Sequence, residues 1–154
     1  MLKLTLGAFV LAATGLCSAA AQDYSLSPAY GSVSLEGGFT PDPYTVSLDA
    51  GGPIDAGAQI GGDCVGYVAD APDFRLQFSA GSLPLILSVA STEDTTLVIN
   101  GPDESWHCDD DGGDGLNPSV RFSSPQSGQY DIWVGAYGGG TPDATLYISE
   151  VTSQ

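Results

Sequence analysis

The chain has 154 residues, with 19 acidic against 3 basic side chains and a formal net charge of −16. Nucleic acids and anionic membrane surfaces are bound mainly through Lys and Arg, so a chain this acidic excludes both as partners. Its 21 Gly and 10 Pro, with seven Tyr and few charged residues, indicate many short strands joined by tight turns in a single domain.

Residues 1–21 read as a secretory signal: Lys3, an apolar stretch from Leu4 to Leu16, and the small residues Ser18, Ala19, Ala20 and Ala21 before Gln22. The stretch is about 13 residues long, short of the roughly 20 that a membrane span needs. Cleavage after Ala21 leaves Arg75 and Arg121 as the basic residues against 19 acidic ones, a net charge of −17. The expected location is outside the cytoplasm, periplasmic or extracellular. Residues 22–29 form a polar leader, expected to be loosely held, and residues 30–152 one domain.

Beyond the leader, helical periodicity is nearly absent, and short alternating runs recur between Gly, Pro, Asn and Asp clusters. Strands are predicted at 31–35, 44–49, 66–69, 74–79, 85–90, 95–100, 105–108, 120–123, 129–137 and 144–150. Such a series indicates an all-β fold, an antiparallel β-sandwich. Val33-Ser34-Leu35-Glu36 is echoed by Val46-Ser47-Leu48-Asp49 across the Pro-rich Thr40-Pro41-Asp42-Pro43, a small hairpin or strand-crossing unit. The core is expected from Leu76 and Phe78, from Leu85, Leu87 and Val89, from Leu97 and Ile99, from Ile132 and Val134, and from Leu146 and Ile148. Two inner faces about 10 Å apart would bury them.

Cys64 and Cys108 are an even pair in an exported chain, and a disulfide between them closes a loop of about 45 residues. A metal site from Cys64, His107 and Cys108 is disfavoured, because adjacent strand residues point to opposite faces.

Asp109-Asp110-Asp111-Gly112-Gly113-Asp114-Gly115 places four carboxylates directly after Cys108. Like charges held this close repel unless a hard cation with oxygen ligands neutralises them, and calcium is the natural candidate. The run does not fit an EF-hand: counted from Asp109, Asp114 stands where Gly is required and Val120 where the bidentate Glu belongs. A solvated acidic turn is the competing reading, since Gly and Asp are preferred turn residues.

Catalysis has little support in the sequence. His107 is the single His, and beyond the signal there is no Gly-x-Ser-x-Gly elbow. The clustered acids are better placed to bind a cation than to flank a sugar. Tyr130, Trp133 and Tyr137 offer a possible binding surface, although the odd spacing of Tyr130 and Trp133 sets them on opposite faces of a strand.

Asp94-Thr95-Thr96-Leu97-Val98-Ile99-Asn100-Gly101-Pro102-Asp103, then the acidic cluster, then Ser127-Gly128-Gln129-Tyr130-Asp131-Ile132-Trp133-Val134 resemble the bacterial pre-peptidase C-terminal domain in content and order. Asp42-Pro43-Tyr44-Thr45-Val46-Ser47-Leu48 and Leu83-Pro84-Leu85-Ile86-Leu87-Ser88-Val89 fit its early strands more loosely. The resemblance implies a jelly-roll-like β-sandwich, an accessory module of secreted proteases, and in some members a calcium site. Carried over, that site falls on Asp94, Asp109, Asp110 and Asp111, with Asn117 a further candidate of our own. The expected function is a non-catalytic exported module, calcium-stabilised, that binds a protein, peptide or polysaccharide. The alternatives are a peptidase-associated or hydrolytic protein, and an acidic structural envelope protein without a specific ligand.

Overall fold

The computed structural model describes residues 22–154, so the secretory signal read at 1–21 lies outside the described residues. In chain order the elements are β1 (Ser32–Glu36), β2 (Tyr44–Asp49), β3 (Ile54–Asp55), α1 (Ala56–Gln59), β4 (Tyr67–Val68), β5 (Phe74–Ser79), β6 (Leu85–Ala90), β7 (Thr95–Asn100), β8 (Trp106–Asp109), β9 (Ser119–Phe122), β10 (Gly128–Ala136) and β11 (Asp143–Ser149). Each of the ten predicted strands has its counterpart here. The two-residue β3 and the four-residue α1 are additions, both too short to show a period in sequence. Among the described residues no helix is long and apolar enough to cross a membrane.

The strands form a two-sheet β-sandwich. The four-stranded sheet runs β2-β11-β6-β9 and is antiparallel throughout. The seven-stranded sheet is organised by the long strand β10, which pairs with β5, with β4 at Ala136, and with β7 along Asp131 to Ala136. β8 pairs with β7, β3 with β4, and β1 with β5. The β1–β5 pair is parallel, a departure from the antiparallel expectation: the two strands are not joined by a hairpin, and between them the chain crosses to the other sheet as β2 and comes back through β3 and β4. The echoed segments are thus a strand-crossing unit, with Val33 to Glu36 in one sheet and Val46 to Asp49 in the other.

Alternation places the core. In β5, Phe74, Leu76 and Phe78 are buried while Arg75, Gln77 and Ser79 point outward. Together with Leu85, Leu87, Val89, Leu97, Ile99, Ile132, Val134, Leu146 and Ile148 they form the cluster between the sheets, as the sequence pattern predicts.

A second cluster lies on the outer face of the seven-stranded sheet. Val98 and Trp133 point away from the main core and are covered by Ala56, Cys64 and Val68. The cover is Val68 of β4 and the strap of residues 54–66, capped at α1 by Asp55, whose Oδ1 accepts from the Ala58 N–H. The Cys64–Cys108 disulfide staples the strap to β8. With both faces covered, β7 is buried at every residue.

The polar leader is held more firmly than its composition predicts. Asp23 N–H donates to Asp70 O, Ala29 N–H to Pro72 O and Tyr30 N–H to Asp73 O. The Arg75 guanidinium adds bonds to Tyr24 O and Leu26 O.

Candidate functional site

Three loops meet at one end of the sandwich: 91–94 between β6 and β7, 110–118 between β8 and β9, and 137–142 between β10 and β11. Backbone bonds join them, from Thr95 N–H to Leu116 O and from Tyr137 N–H to Asp94 O. The first and third loops line an open cavity of about 530 Å³ with Glu93, Asp94, Tyr137, Gly139, Thr141 and Pro142.

The acidic loop divides its side chains between two tasks. Asp109 anchors the turn: its Oδ2 accepts from Gly112 N–H at 2.7 Å and from Ser119 N–H at 2.8 Å. Asn117 bridges the loops, accepting from the Thr95 hydroxyl at 2.8 Å and donating to Ser91 O and Asp114 O. Asp109 Oδ2 and both ends of the Asn117 amide are thus engaged in holding the loops. Gly113 is needed here because a Cβ would lie 2.4 Å from Gln154 O and 2.8 Å from Asn117 O.

Asp94 differs from both. The residue is partly exposed, yet its Oδ1 is sealed from solvent and has no hydrogen-bond partner. Its pKa is raised, first by desolvation and then by the charges of Asp111 and Asp110. Three of the five residues expected to hold a cation therefore share one field, Asp94 from the start of β7 and Asp110 and Asp111 from the loop. Among the described residues, however, no three acidic, thiolate or imidazole side chains converge closely enough to hold a metal as they stand.

The aromatic surface expected from Tyr130, Trp133 and Tyr137 requires correction. Tyr130 is 1% exposed in the main core, with its hydroxyl bonded to Gln126 O. Trp133 is 0% exposed under the strap, where it packs on Trp106 with ring centroids 5.5 Å apart. The odd spacing does send them to opposite faces, and both faces are covered. Tyr137, 50% exposed, remains at the surface, with Tyr67 also exposed on the neighbouring strand. Glu93, which completes the cavity together with the 138–142 loop, carries no signal of its own in the sequence.

A second cavity of about 500 Å³ lies over the disulfide, lined by Gly61, Gly62, Asp63, Trp106 and His107. His107 is used in packing, its ring meeting that of Phe122 edge-on at 4.8 Å, and Phe122 meets Tyr130 in the same way. These rings close the sandwich between the edge strands β8 and β9.

This β-sandwich is similar to a pre-peptidase C-terminal domain. The solved structure is that of the pre-peptidase C-terminal domain of collagenase from Bacillus anthracis, with a TM-score of 0.45 and 13% identity over 77% of this chain and 94% of that one. PliG of Aeromonas hydrophila, a periplasmic lysozyme inhibitor of g-type lysozyme, is similar with a TM-score of 0.38 and 12% identity over 77% of this chain and 96% of that one. No family model matches the sequence. No curated protein matches it either. At these identities the likeness is one of fold.

Proposed function

We propose that the chain is a non-catalytic, exported β-sandwich module that is stabilised by calcium and presents its three-loop end to a protein, peptide or polysaccharide. The observation that carries this reading is the sealed, unpartnered Oδ1 of Asp94, which carries a charge disfavoured by burial and by Asp110 and Asp111. With only Arg75 and Arg121 as basic side chains after the signal, and Arg75 paired with Asp131, the protein itself has little with which to neutralise this cluster. Asp94, Asp110 and Asp111 would hold the ion, and the two loop carboxylates must close on Asp94 to do so. Calcium supplies charge neutralisation to oxygen ligands. Asp109 and Asn117 keep the loops in place. Tyr137 lies beside Asp94 in the same cavity, so engagement of a partner there depends on calcium. The disulfide fits an oxidising compartment, periplasmic or extracellular.

Thermal unfolding of the oxidised protein in EDTA, calcium and magnesium at matched ionic strength tests the reading. Calcium at about 100 times its Kd should stabilise the fold by about 2.7 kcal/mol, with magnesium much weaker. Asp94→Asn and Asp111→Asn should remove that gain, whereas Asp109→Ala should destabilise the protein in EDTA as well. Coincident curves in all three solutions, or an undiminished calcium shift in Asp94→Asn and Asp111→Asn, would reject the site.

A further inference from the structure

The leader begins with an anomaly. Gln22 is 2% exposed, and both its Oε1 and its Nε2 are buried without a hydrogen-bond partner. A side-chain amide buried with neither end satisfied is costly and rare in folded proteins. The backbone beside Gln22 is held in place. The next residue donates its N–H to Asp70 O, and Arg75 holds the carbonyls of Tyr24 and Leu26.

In sequence, Gln22 directly follows Ser18-Ala19-Ala20-Ala21, the small-residue pattern that ends the export signal. Cleavage there converts Gln22 from an internal residue into the amino terminus. A free terminus would bring an α-ammonium charge to the same buried position. Acceptors next in sequence and in its backbone pairing already carry donors: Asp23 Oδ1 takes the Ser25 N–H and hydroxyl, and Asp70 O receives both Asp23 N–H and Trp133 Nε1–H.

We propose that the mature amino terminus is pyroglutamate, formed from Gln22 after signal cleavage. The new α-amino nitrogen attacks the side-chain Cδ, an N–Cδ bond forms, the Cδ–Nε2 bond breaks, and Nε2 leaves as ammonia with the transferred protons. The step is intramolecular, closes a five-membered lactam, and needs no oxidant or co-reactant. It removes the unpartnered Nε2 and the ammonium charge together, leaving one lactam N–H and one carbonyl in a smaller, neutral group. The buried position receives a terminus that it can accommodate, and the exported chain is closed to aminopeptidases.

The inference rests on the export reading, and one experiment separates the two. The full chain is expressed with its own signal in an exporting bacterial host, and the purified protein is analysed by intact mass and by tandem fragmentation of its amino-terminal peptide. The expected result is a chain starting at residue 22, lighter than the free-Gln form by one ammonia, with the loss on residue 22 and none in the exported Gln22→Ala variant. A chain that starts at residue 22 with free Gln overturns the cyclisation while leaving cleavage intact. A chain that starts elsewhere, or is uncleaved, overturns both.

Discussion

The Asp73 carboxylate accepts a hydrogen bond from the Val134 backbone N–H at 2.7 Å, taking the ladder position that β5 leaves open beside β10 when the chain turns away at Pro72. Asp73 is 3% exposed, and desolvation raises its pKa from 3.8 to about 7 against the opposing effect of the Val134 bond. The native state therefore holds this proton more tightly than the unfolded chain does. Its contribution to stability is complete below pH 3.8 and is lost as pH rises through about 7. Asp73→Asn keeps an acceptor for Val134 without a charge. It should exceed the wild type in stability at about pH 8 by on the order of 2–4 kcal/mol, and the difference should vanish by about pH 4. Urea unfolding across that range checks both the sign and the window.

Arg75 links the leader to the sheet. Its Nε pairs with Asp131 Oδ1 at 2.6 Å, and Asp131, itself 2% exposed, receives a second bond from Gln129 Nε2. Arg75→Met strands that carboxylate and frees two leader carbonyls, so the expected loss is roughly 3 kcal/mol. Hydrogen exchange gives a local readout. The Asp23 and Ala29 amides, protected by Asp70 O and Pro72 O, should exchange much faster in the variant. The double variant Arg75→Met, Asp131→Asn should recover part of the global stability but not the leader protection.

The Cys64–Cys108 disulfide spans 44 positions of sequence and fastens the strap over Val98 and Trp133. Chain entropy alone gives its removal, as Cys64→Ser with Cys108→Ser, a cost of about 4 kcal/mol. Because the strap and Trp106 form part of the cover over Trp133, loosening the strap should shift tryptophan emission to the red before the main core unfolds. A single coincident transition by fluorescence and by far-ultraviolet circular dichroism would show that the strap and the sandwich unfold as one unit.

The inner faces were legible in sequence because they obey a local rule. Leu76 and Phe78, Leu97 and Ile99, and Leu146 and Ile148 alternate with period two and are buried together. Cys64 and Cys108 were legible because an even pair of cysteines in a chain read as exported points to a disulfide. Trp133 was misread because its cover comes from residues 54–66, a strap with no period of its own. The hydrogen-bonding roles of Asp109 and Asn117 were hidden for a related reason. Sequence shows which residues carry oxygen ligands, but not that Ser119 N–H and the Thr95 hydroxyl already bind them. Asp94 is a candidate from the family-like motif, yet its unpartnered Oδ1 emerges only when β7 and the 110–118 loop are brought side by side.

Thr96 tests how tightly the covered face of β7 is packed. It pairs with Gly135 of β10, where a Cβ would stand 2.2 Å from the Thr96 hydroxyl oxygen, and it also abuts Gly66, where a Cβ would stand 2.7 Å from the same atom. Two glycines thus make room for this side chain. Its hydroxyl nevertheless finds no hydrogen-bond partner, although the residue is 0% exposed. A buried, unsatisfied hydroxyl costs about 1–3 kcal/mol, while the branched shape fills the space. Thr96→Val keeps the shape and removes the polar atom, so it should stabilise the protein by about 1 kcal/mol in urea unfolding. Gly135→Ala should do the opposite, because the close approach leaves no room for a methyl group, and the expected loss is about 3 kcal/mol. If Thr96→Val is instead destabilising while Gly135→Ala is tolerated, the β7–β10 contact is looser than these distances require and the hydroxyl is satisfied in solution.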